Sequence, residues 1–200
     1  MCAHTRPRHT RSPSMPAPRF FGYGSLVNTA THDFPDPQPA RLAGWRRQWV
    51  RATTRPVTFL SVRPDPDCAI EGITAAVPGA DWAALDAREA AYDRLPLPPE
   101  ALAPAPDAPV SVYRAKPALI GPPSPDHPIL LSYLDTVIAG FLALFGEAGV
   151  ARFFATTEGW EAPILDDRAA PRYPRATPPD GAVRALVDAA LAQLGARAPG

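Results

Sequence analysis

The sequence predicts an α+β domain with a small, mostly antiparallel, barrel-like sheet and flanking helices. Strand-like segments dominate the first half of the chain, and helical segments are interspersed later. A length of 200 residues suits one domain with a sizeable core. The 28 prolines favour several loops over long uninterrupted elements.

The first eighteen residues are expected to be a tail outside the domain. They hold three arginines and several prolines, but no apolar run that could enter a core. A secretory signal needs an apolar stretch of roughly 7–15 residues, which is missing. We therefore expect a disordered tail or an over-long start at residues 1–18, a single domain at 19–200 and a cytoplasmic location, with an organellar address as the alternative. Deletion of residues 1–15 should then change neither stability nor activity.

The strands are predicted from alternating or continuous apolar runs of strand length. The first is "RFFGY" at residues 19–23, which stops at a glycine-containing loop. Gly44 is expected to bend or bulge the next strand-like segment. The predicted strands after the first are "PARLAGWRRQWVR" (39–51), "VTFLSVRP" (57–64), "AIEGITAAVP" (69–78) and "PVSVYRAK" (109–116).

Three helices are predicted. Asp81 should cap an alanine-rich helix over residues 81–95, which a proline-rich loop follows. Asp126 should cap a helix over residues 127–146, apolar on most sides and therefore buried. Ser132 and Asp135 interrupt it, so we do not expect a membrane span. The final helix, residues 181–195, is amphipathic and ends at a glycine.

Composition excludes several classes of function. The formal net charge is zero, so no global field favours nucleic acid or an anionic membrane. Cys2 and Cys68 are the only cysteines, and Cys2 lies in the predicted tail. We therefore expect neither a structural disulfide nor a cysteine-based metal site.

Glu89 is the most informative residue of the predicted first helix. It follows Trp82 and Leu85 and precedes Tyr92 at the spacing of one helical face, which places a carboxylate on the core side. Burial raises the pKa of a carboxyl group, and a base with a pKa nearer neutrality suits proton transfer. The alternative is a structural ion pair with Arg46 or Arg47, without chemistry.

The segment "GYGSL" allows several interpretations. It lacks the third glycine of a dinucleotide-binding loop, because Val27 occupies that position. The spacing around Ser25 does not fit a nucleophile elbow, and nothing ties His32 or His127 to its hydroxyl. Backbone amides beside a hydroxyl can instead hold a carboxylate or an oxyanion, and this is the interpretation that we favour. A plain tight turn remains the structural alternative.

Two separated segments resemble the γ-glutamylcyclotransferase-like family, which includes γ-glutamylamine cyclotransferases, ChaC-type glutathione-degrading enzymes and AIG2-like proteins. "FGYGSL" resembles its Y-G-S/T-L loop, and "LDAREAAYDRL" resembles its L-D-x-x-E helix with a following tyrosine and arginine. "VYRAK" and "SYLDT" resemble later segments of the family. The resemblance spans about residues 20–133 and fades beyond about residue 150. Ala90 departs from the glycine that many members have after the glutamate.

The resemblance implies a cofactor-independent enzyme that releases 5-oxoproline from a γ-glutamyl amide. Glu89 would be the catalytic base, without a metal. The glutamyl group would contact the set Tyr23, Gly24, Ser25, Leu26 and Tyr133. The expected partner is a small γ-glutamyl molecule rather than nucleic acid or a membrane. Neither the leaving group nor the oligomeric state follows from the motifs.

Two other functions remain open. The same cavity could serve a non-catalytic module that binds a γ-glutamyl or other carboxylate ligand. Trp160 and Ile164, which stand among acidic residues in "EGWEAPILDD", could instead belong to an interaction surface. Residues of this kind more often pack over the sheet.

Overall fold

The computed structural model describes residues 16–122 and 124–196. Eight of the ten strands in these residues form a curled main sheet with helices beside it, as the sequence predicted, and the strands Ile129–Leu130 and Ile164–Leu165 form a separate parallel pair. The strands are β1 (Arg19–Gly22), β2 (Gln38–Ala52), β3 (Thr58–Ala76), β4 (Tyr92–Leu97), β5 (Leu102–Ala103), β6 (Val110–Ala115), β7 (Ile120–Gly121), β8 (Ile129–Leu130), β9 (Thr157–Glu158) and β10 (Ile164–Leu165). The helices are α1 (Ala83–Arg88), α2 (Leu131–Ala155) and α3 (Gly181–Gln193).

The main sheet is mixed but mostly antiparallel. Its order is β4-β6-β1-β3-β2-β5, and β7 and β9 also pair with β2. The exceptions in this sheet are β1, which runs parallel to β6, and β9, which runs parallel to β2. Phe20 and Phe21 on β1 are both buried, so β1 is covered on both faces and its end lies inside the molecule.

The hairpin of β2 and β3 contains the two longest strands of the main sheet. The pairing shifts between Ala43 and Trp45, and Gly44 between them has φ +79°, so the predicted bulge is confirmed. The two strands predicted at 57–64 and 69–78 form one continuous β3. Pro64 and Pro66 lie within β3 but do not end the strand, because β2 pairs with β3 on both sides of the bulge.

The first predicted helix is much shorter than expected. α1 ends at Arg88, and Tyr92 already belongs to β4, which pairs with β6 from Tyr92↔Ala115 to Leu97↔Val110. The expected helix over 81–95 is therefore wrong, because long-range strand pairing overrides the local helix preference of the alanine-rich sequence. Asp81 precedes the helix and accepts a hydrogen bond from the Ala83 amide at 3.1 Å.

Helix α2 begins later and ends later than expected. Asp126 does not cap it, since the helix begins at Leu131. Asp167 acts there instead, because its carboxylate accepts bonds from the Ser132 amide (2.8 Å) and hydroxyl (2.6 Å). The predicted end at Gly146 is a local break with φ +63°, after which the helix continues to Ala155.

Helix α2 is a core helix. Within the described residues it is the one helix long and apolar enough to cross a membrane by length and composition. Phe141 and Phe153 are fully buried, and so is Asp135, which pairs with Arg168 at 2.7 Å. These contacts place α2 against the sheet inside the protein.

Helix α3 is the last element of the described chain, and its bounds are close to the predicted range of 181–195. The Asp180 side chain accepts a bond from the Val183 amide at 2.8 Å, and Gly195 has φ +65° beyond the helix end. Val187 and Leu191 are buried on the face that packs against α2. The predicted tail lies mostly outside the described residues, which begin at 16.

Candidate active site

A cleft opens where β1 ends. Its empty space, counted together with the open solvent at its mouth, is about 350 Å³. The residues that line it come from the end of β1 and the loop after it, from β3, from the end of α1 and from β4, β6 and α2. They are Phe21, Gly22, Tyr23, Gly24, Ser25, Leu26, Leu60, Glu89, Tyr92, Tyr113 and Tyr133. All six residues that the sequence analysis named for the site therefore meet in one cleft.

The glycine-containing loop is shaped by its neighbours. β1 ends at Gly22, and the Val27 amide donates to the Gly24 carbonyl at 2.9 Å to close a short 3-10 turn. Gly24 has φ −122°, so a left-handed backbone does not explain the glycine. A Cβ at this position would lie 2.6 Å from the Tyr133 hydroxyl oxygen and 3.3 Å from Leu60. Gly24 is therefore required by the close approach of Tyr133.

Glu89 lies at the end of α1 and faces the cleft. Its amide donates to the Leu85 carbonyl at 2.9 Å, which closes the last turn, and 16% of its side chain is exposed. Burial raises the pKa of the carboxyl group above its ordinary value, and the nearby Arg88 and Arg175 partly oppose this effect. The inward position was predicted, but it arises from the helix end and not from a continuous helical face.

Arg88 joins Glu89 to the glycine-containing loop. Its Nε lies 3.2 Å from a Glu89 carboxylate oxygen, and its side chain is 10% exposed. The same guanidinium donates to the Thr31 carbonyl at 3.1 Å and makes a long contact of 3.5 Å with the Ser25 hydroxyl. Arg88 thus fixes the distance between the carboxylate and the loop.

The ion pairs proposed as the structural alternative for Glu89 do not form. Arg46 pairs with Asp65 at 2.6 Å. Arg47 is fully buried behind the loop and donates to other oxygens, among them the Tyr23 carbonyl at 3.0 Å. The pairing of Glu89 with Arg46 or Arg47 is therefore wrong, and its cationic neighbour is Arg88.

Three of the four tyrosine hydroxyls in the cleft are engaged elsewhere. Tyr23 donates to the Tyr113 carbonyl and Tyr92 to the Leu60 carbonyl, both at 2.7 Å, while Tyr113 donates to the Asp86 carboxylate. Burial raises the pKa of each of these phenols, which therefore remain protonated at neutral pH.

Tyr133 differs from the other three because its hydroxyl lies over the glycine-containing loop. Burial raises its pKa, and the Ser25 backbone amide acts in the opposite direction. Its ring is held edge-on by Trp49 (centroids 5.9 Å apart) and by Tyr173 (5.0 Å). Tyr173 in turn donates its amide to the Ser132 hydroxyl at 3.2 Å. The ring is thereby fixed with its hydroxyl at the cleft.

Other residues of the second motif support the site without lining it. Leu85 is fully buried, and Asp86 pairs with Arg94 at 3.0 Å. The Arg94 guanidinium lies 4.1 Å from the Trp82 ring centroid. These contacts fasten α1 to β4 and hold Glu89 between them.

Sequence reasoning missed Leu60 and Tyr113 as lining residues. Both stand in strands whose alternation showed an inward side chain, but only the sheet order shows that β3 and β6 flank β1. The tyrosine of the second motif, Tyr92, also lines the cleft, although the sequence analysis assigned it no role at the site.

The structure gives evidence on two alternatives from the sequence, a serine nucleophile at Ser25 and an interaction surface at Trp160 and Ile164. The His32 Nε2 bonds to the Leu26 carbonyl at 2.9 Å, and Ser25 faces Arg88, so Ser25 and His32 do not form a serine–histidine pair. Trp160 stacks on Phe154 (centroids 5.1 Å apart), and Ile164 is buried at 2% exposure. These two residues pack over the sheet and do not form an exposed interaction surface.

Among the described residues, no group of three or more His, Cys, Asp or Glu could hold a metal ion.

The backbone is similar to two solved structures over most of its length. One is an uncharacterised protein from Homo sapiens, with 14% identity and a TM-score of 0.53 over 77% of this chain and 96% of that one. The other is gamma-glutamyl cyclotransferase, with 15% identity and a TM-score of 0.50 over 74% of this chain and 94% of that one. The chain has the γ-glutamyl cyclotransferase fold. No family model and no curated protein matches the sequence.

The γ-glutamyl cyclotransferase fold confirms the architecture that the two sequence motifs implied. At 14–15% identity the likeness extends to the fold alone. What the cleft can do therefore follows from its own residues: one carboxylate with a raised pKa, a loop of backbone amides and a fixed phenol.

Proposed function

We propose that this protein is a γ-glutamylcyclotransferase that releases 5-oxoproline from a γ-glutamyl amide. The observation that carries the proposal is the position of Glu89, a mostly buried carboxylate that faces a cleft and is joined through Arg88 to a glycine-containing loop. A general base beside backbone donors is the arrangement that intramolecular acyl transfer requires.

Glu89 is the proton acceptor in this mechanism. The α-ammonium group of the substrate cannot attack while it is protonated, so Glu89 removes one proton. The freed amine attacks the γ-carbonyl carbon, a carbon–nitrogen bond forms, and the five-membered ring closes. The former amide bond then breaks as Glu89 returns the proton to the departing nitrogen. The ring nitrogen still carries two hydrogens after the attack, and it gives one of them to the regenerated Glu89 carboxylate, from which this proton passes to the released amine. A raised pKa suits both steps, because it brings the carboxyl group closer to the working pH.

The loop and Tyr133 stabilise the charge that develops on the γ-carbonyl oxygen. Amides of Gly24 and Ser25 lie at the cleft, beside the Tyr133 hydroxyl. Hydrogen-bond donors that are already in position stabilise this charge in the transition state, because the protein does not have to reorganise during the reaction. The cleft also holds the substrate in its ring-closing conformation, which lowers the entropic part of the barrier.

The experiment is incubation of the protein with a panel of γ-glutamyl compounds, with 5-oxoproline followed by mass spectrometry. The panel contains glutathione, a γ-glutamyl amino acid and a γ-glutamyl amine, which share the glutamyl half and differ in the leaving group. Each reaction is repeated with Glu89→Gln and with Glu100→Gln, a matched control at an exposed residue that does not line the cleft. Release by the wild type and the control, but not by Glu89→Gln, supports the proposal.

A non-catalytic binding module predicts a different result. Calorimetry would then detect binding of the same compounds while no 5-oxoproline appears with any of them. That outcome would assign the cleft to recognition and overturn the proposed reaction.

A further inference from the structure

Arg47 is a buried cation directly behind the candidate site. It stands on β2, its exposure is 0%, and its guanidinium carbon lies 4.9 Å from the ring centroids of both Phe141 and Phe153. The two rings belong to α2, so the guanidinium is packed between the sheet and this helix. An arginine in such surroundings is unusual, because a charge removed from water is costly unless polar groups surround it.

The guanidinium is held mainly by neutral oxygens. Nε donates to the Tyr23 carbonyl at 3.0 Å, and one terminal nitrogen donates to the Thr156 hydroxyl at 2.9 Å. The other terminal nitrogen donates to the Glu71 carbonyl. Burial lowers the pKa of Arg47, and the Glu71 carboxylate is the strongest influence in the other direction. The three nitrogens of the rigid guanidinium thus donate to three separate segments of the chain.

The bond to Tyr23 determines the direction of the next amide. The Tyr23–Gly24 peptide is trans, so its carbonyl and its N–H point to opposite sides. Arg47 holds the carbonyl on the core side, and Gly24 lines the cleft on the other. Within residues 16–122 and 124–196, the Gly24 N–H donates to no backbone carbonyl. The donor is therefore available to a ligand.

We infer that Arg47 is a positioning residue that orients and polarises the Tyr23–Gly24 peptide, so that the Gly24 N–H is presented to an anionic oxygen of a bound ligand. A cation bonded to a carbonyl withdraws electron density from the peptide and strengthens the N–H on its far side. That the oxygen is the developing oxyanion of 5-oxoproline formation rests on the proposed function. Since the oxyanion exists only in the transition state, Arg47 should act on kcat rather than on KM.

The test compares Arg47→Lys with Thr156→Val. Lysine keeps a cation on a flexible stem but lacks the fork that reaches Tyr23 and its other acceptors together. Thr156→Val removes a different bond of the same guanidinium and leaves the Tyr23 bond in place. For each variant the melting temperature, kcat, KM and the Gly24 amide ¹⁵N shift are measured, since this shift responds to a hydrogen bond at the preceding carbonyl.

Arg47→Lys should lower kcat by about tenfold or more while KM stays within about twofold, because a misdirected oxyanion donor affects the transition state alone. The Gly24 shift should move in the same variant. Thr156→Val should lower the melting temperature and leave kcat and the Gly24 shift unchanged. A folded Arg47→Lys protein with the parent kcat and the parent Gly24 shift would overturn the inference, as would equal kcat losses in both variants.

A measurement on the wild type covers the case in which Arg47→Lys does not fold. A scalar coupling across the hydrogen bond between Arg47 Nε and the Tyr23 carbonyl carbon is expected, and its absence would contradict the inference. Failure of the proposed function is a separate result. It would appear as no 5-oxoproline from any wild-type reaction, while the coupling and the Gly24 shift still report on the peptide.

Discussion

Replacing Glu89 by glutamine removes the proton acceptor of the candidate site and keeps its shape. The Arg88 Nε, 3.2 Å from a Glu89 carboxylate oxygen, can still donate to an amide oxygen in the same place. The loop that contains Gly24 and Ser25 is untouched, so substrate binding should persist. If Glu89 is the base, turnover should fall about 10²–10⁴-fold, the usual contribution of a positioned acid–base group.

The stability of the same variant should change little. The substitution weakens a charge-assisted hydrogen bond, which costs roughly 1–1.5 kcal/mol, but it also removes a mostly buried carboxylate that is costly to desolvate. Arg88 keeps the Thr31 carbonyl as an acceptor. A change in unfolding free energy of less than about 1 kcal/mol follows, or about 2–4 °C in melting temperature.

Two readouts therefore decide between the roles. The rate of 5-oxoproline release is measured at saturating substrate, and thermal unfolding is followed by circular dichroism, each beside the Glu100→Gln control. The base role predicts lost turnover with an intact fold. A well-folded Glu89→Gln protein that releases 5-oxoproline at the parent rate would refute it.

Three further predictions concern packing, charge and capping. Gly24→Ala should lower the melting temperature, because the new Cβ would lie 2.6 Å from the Tyr133 hydroxyl oxygen, and adding Tyr133→Phe should recover part of the loss, since the next ring atom is 3.9 Å away. Arg88→Gln should raise the Glu89 pKa further and shift the acidic limb of the pH–rate profile to higher pH, because Arg88 now favours the ionised carboxylate. Asp167→Ala should lower the unfolding free energy by about 2–3 kcal/mol in urea titrations, because two bonds to the first turn of α2 are lost.

Each of these has a distinct contrary result. If the losses in melting temperature from Gly24→Ala and Tyr133→Phe simply add in the double variant, the Tyr133 hydroxyl does not limit the space for a Cβ at position 24. An unchanged acidic limb in Arg88→Gln would show that a group other than Glu89 controls it. Parent stability in Asp167→Ala would mean that water or another group replaces the cap.

The sheet was largely predictable because its strands carry their own signal. Phe20 and Phe21 beside two glycines indicated a buried strand with an abrupt end, and Gly44 indicated the bulge. The limits of α1 and α2 were not predictable, because they depend on distant residues. β4 takes its register from β6, and the cap of α2 comes from Asp167, 35 residues after Ser132.

The six residues named from the sequence line one cleft, but their positions there arise in a way that the sequence did not indicate. Glu89 faces inward because α1 ends there and the chain turns into β4, whereas a continuous helical face was expected. Gly24 is needed for the approach of Tyr133, a contact that the loop segment alone does not indicate. Arg88 and Tyr113 gave no sequence signal of their own, since their roles depend on which strands become neighbours.

The segment between β10 and α3 carries no recognisable motif, yet it supports the cleft. Asp167 holds the start of α2, and Tyr173 braces the ring of Tyr133. A protein truncated after β10 would keep both motifs and lose that support. Divergent evolution in this stretch can therefore reshape the cleft and its ligand preference while the motif residues stay identical. Chains sorted by their motifs alone would then be grouped together although they accept different molecules.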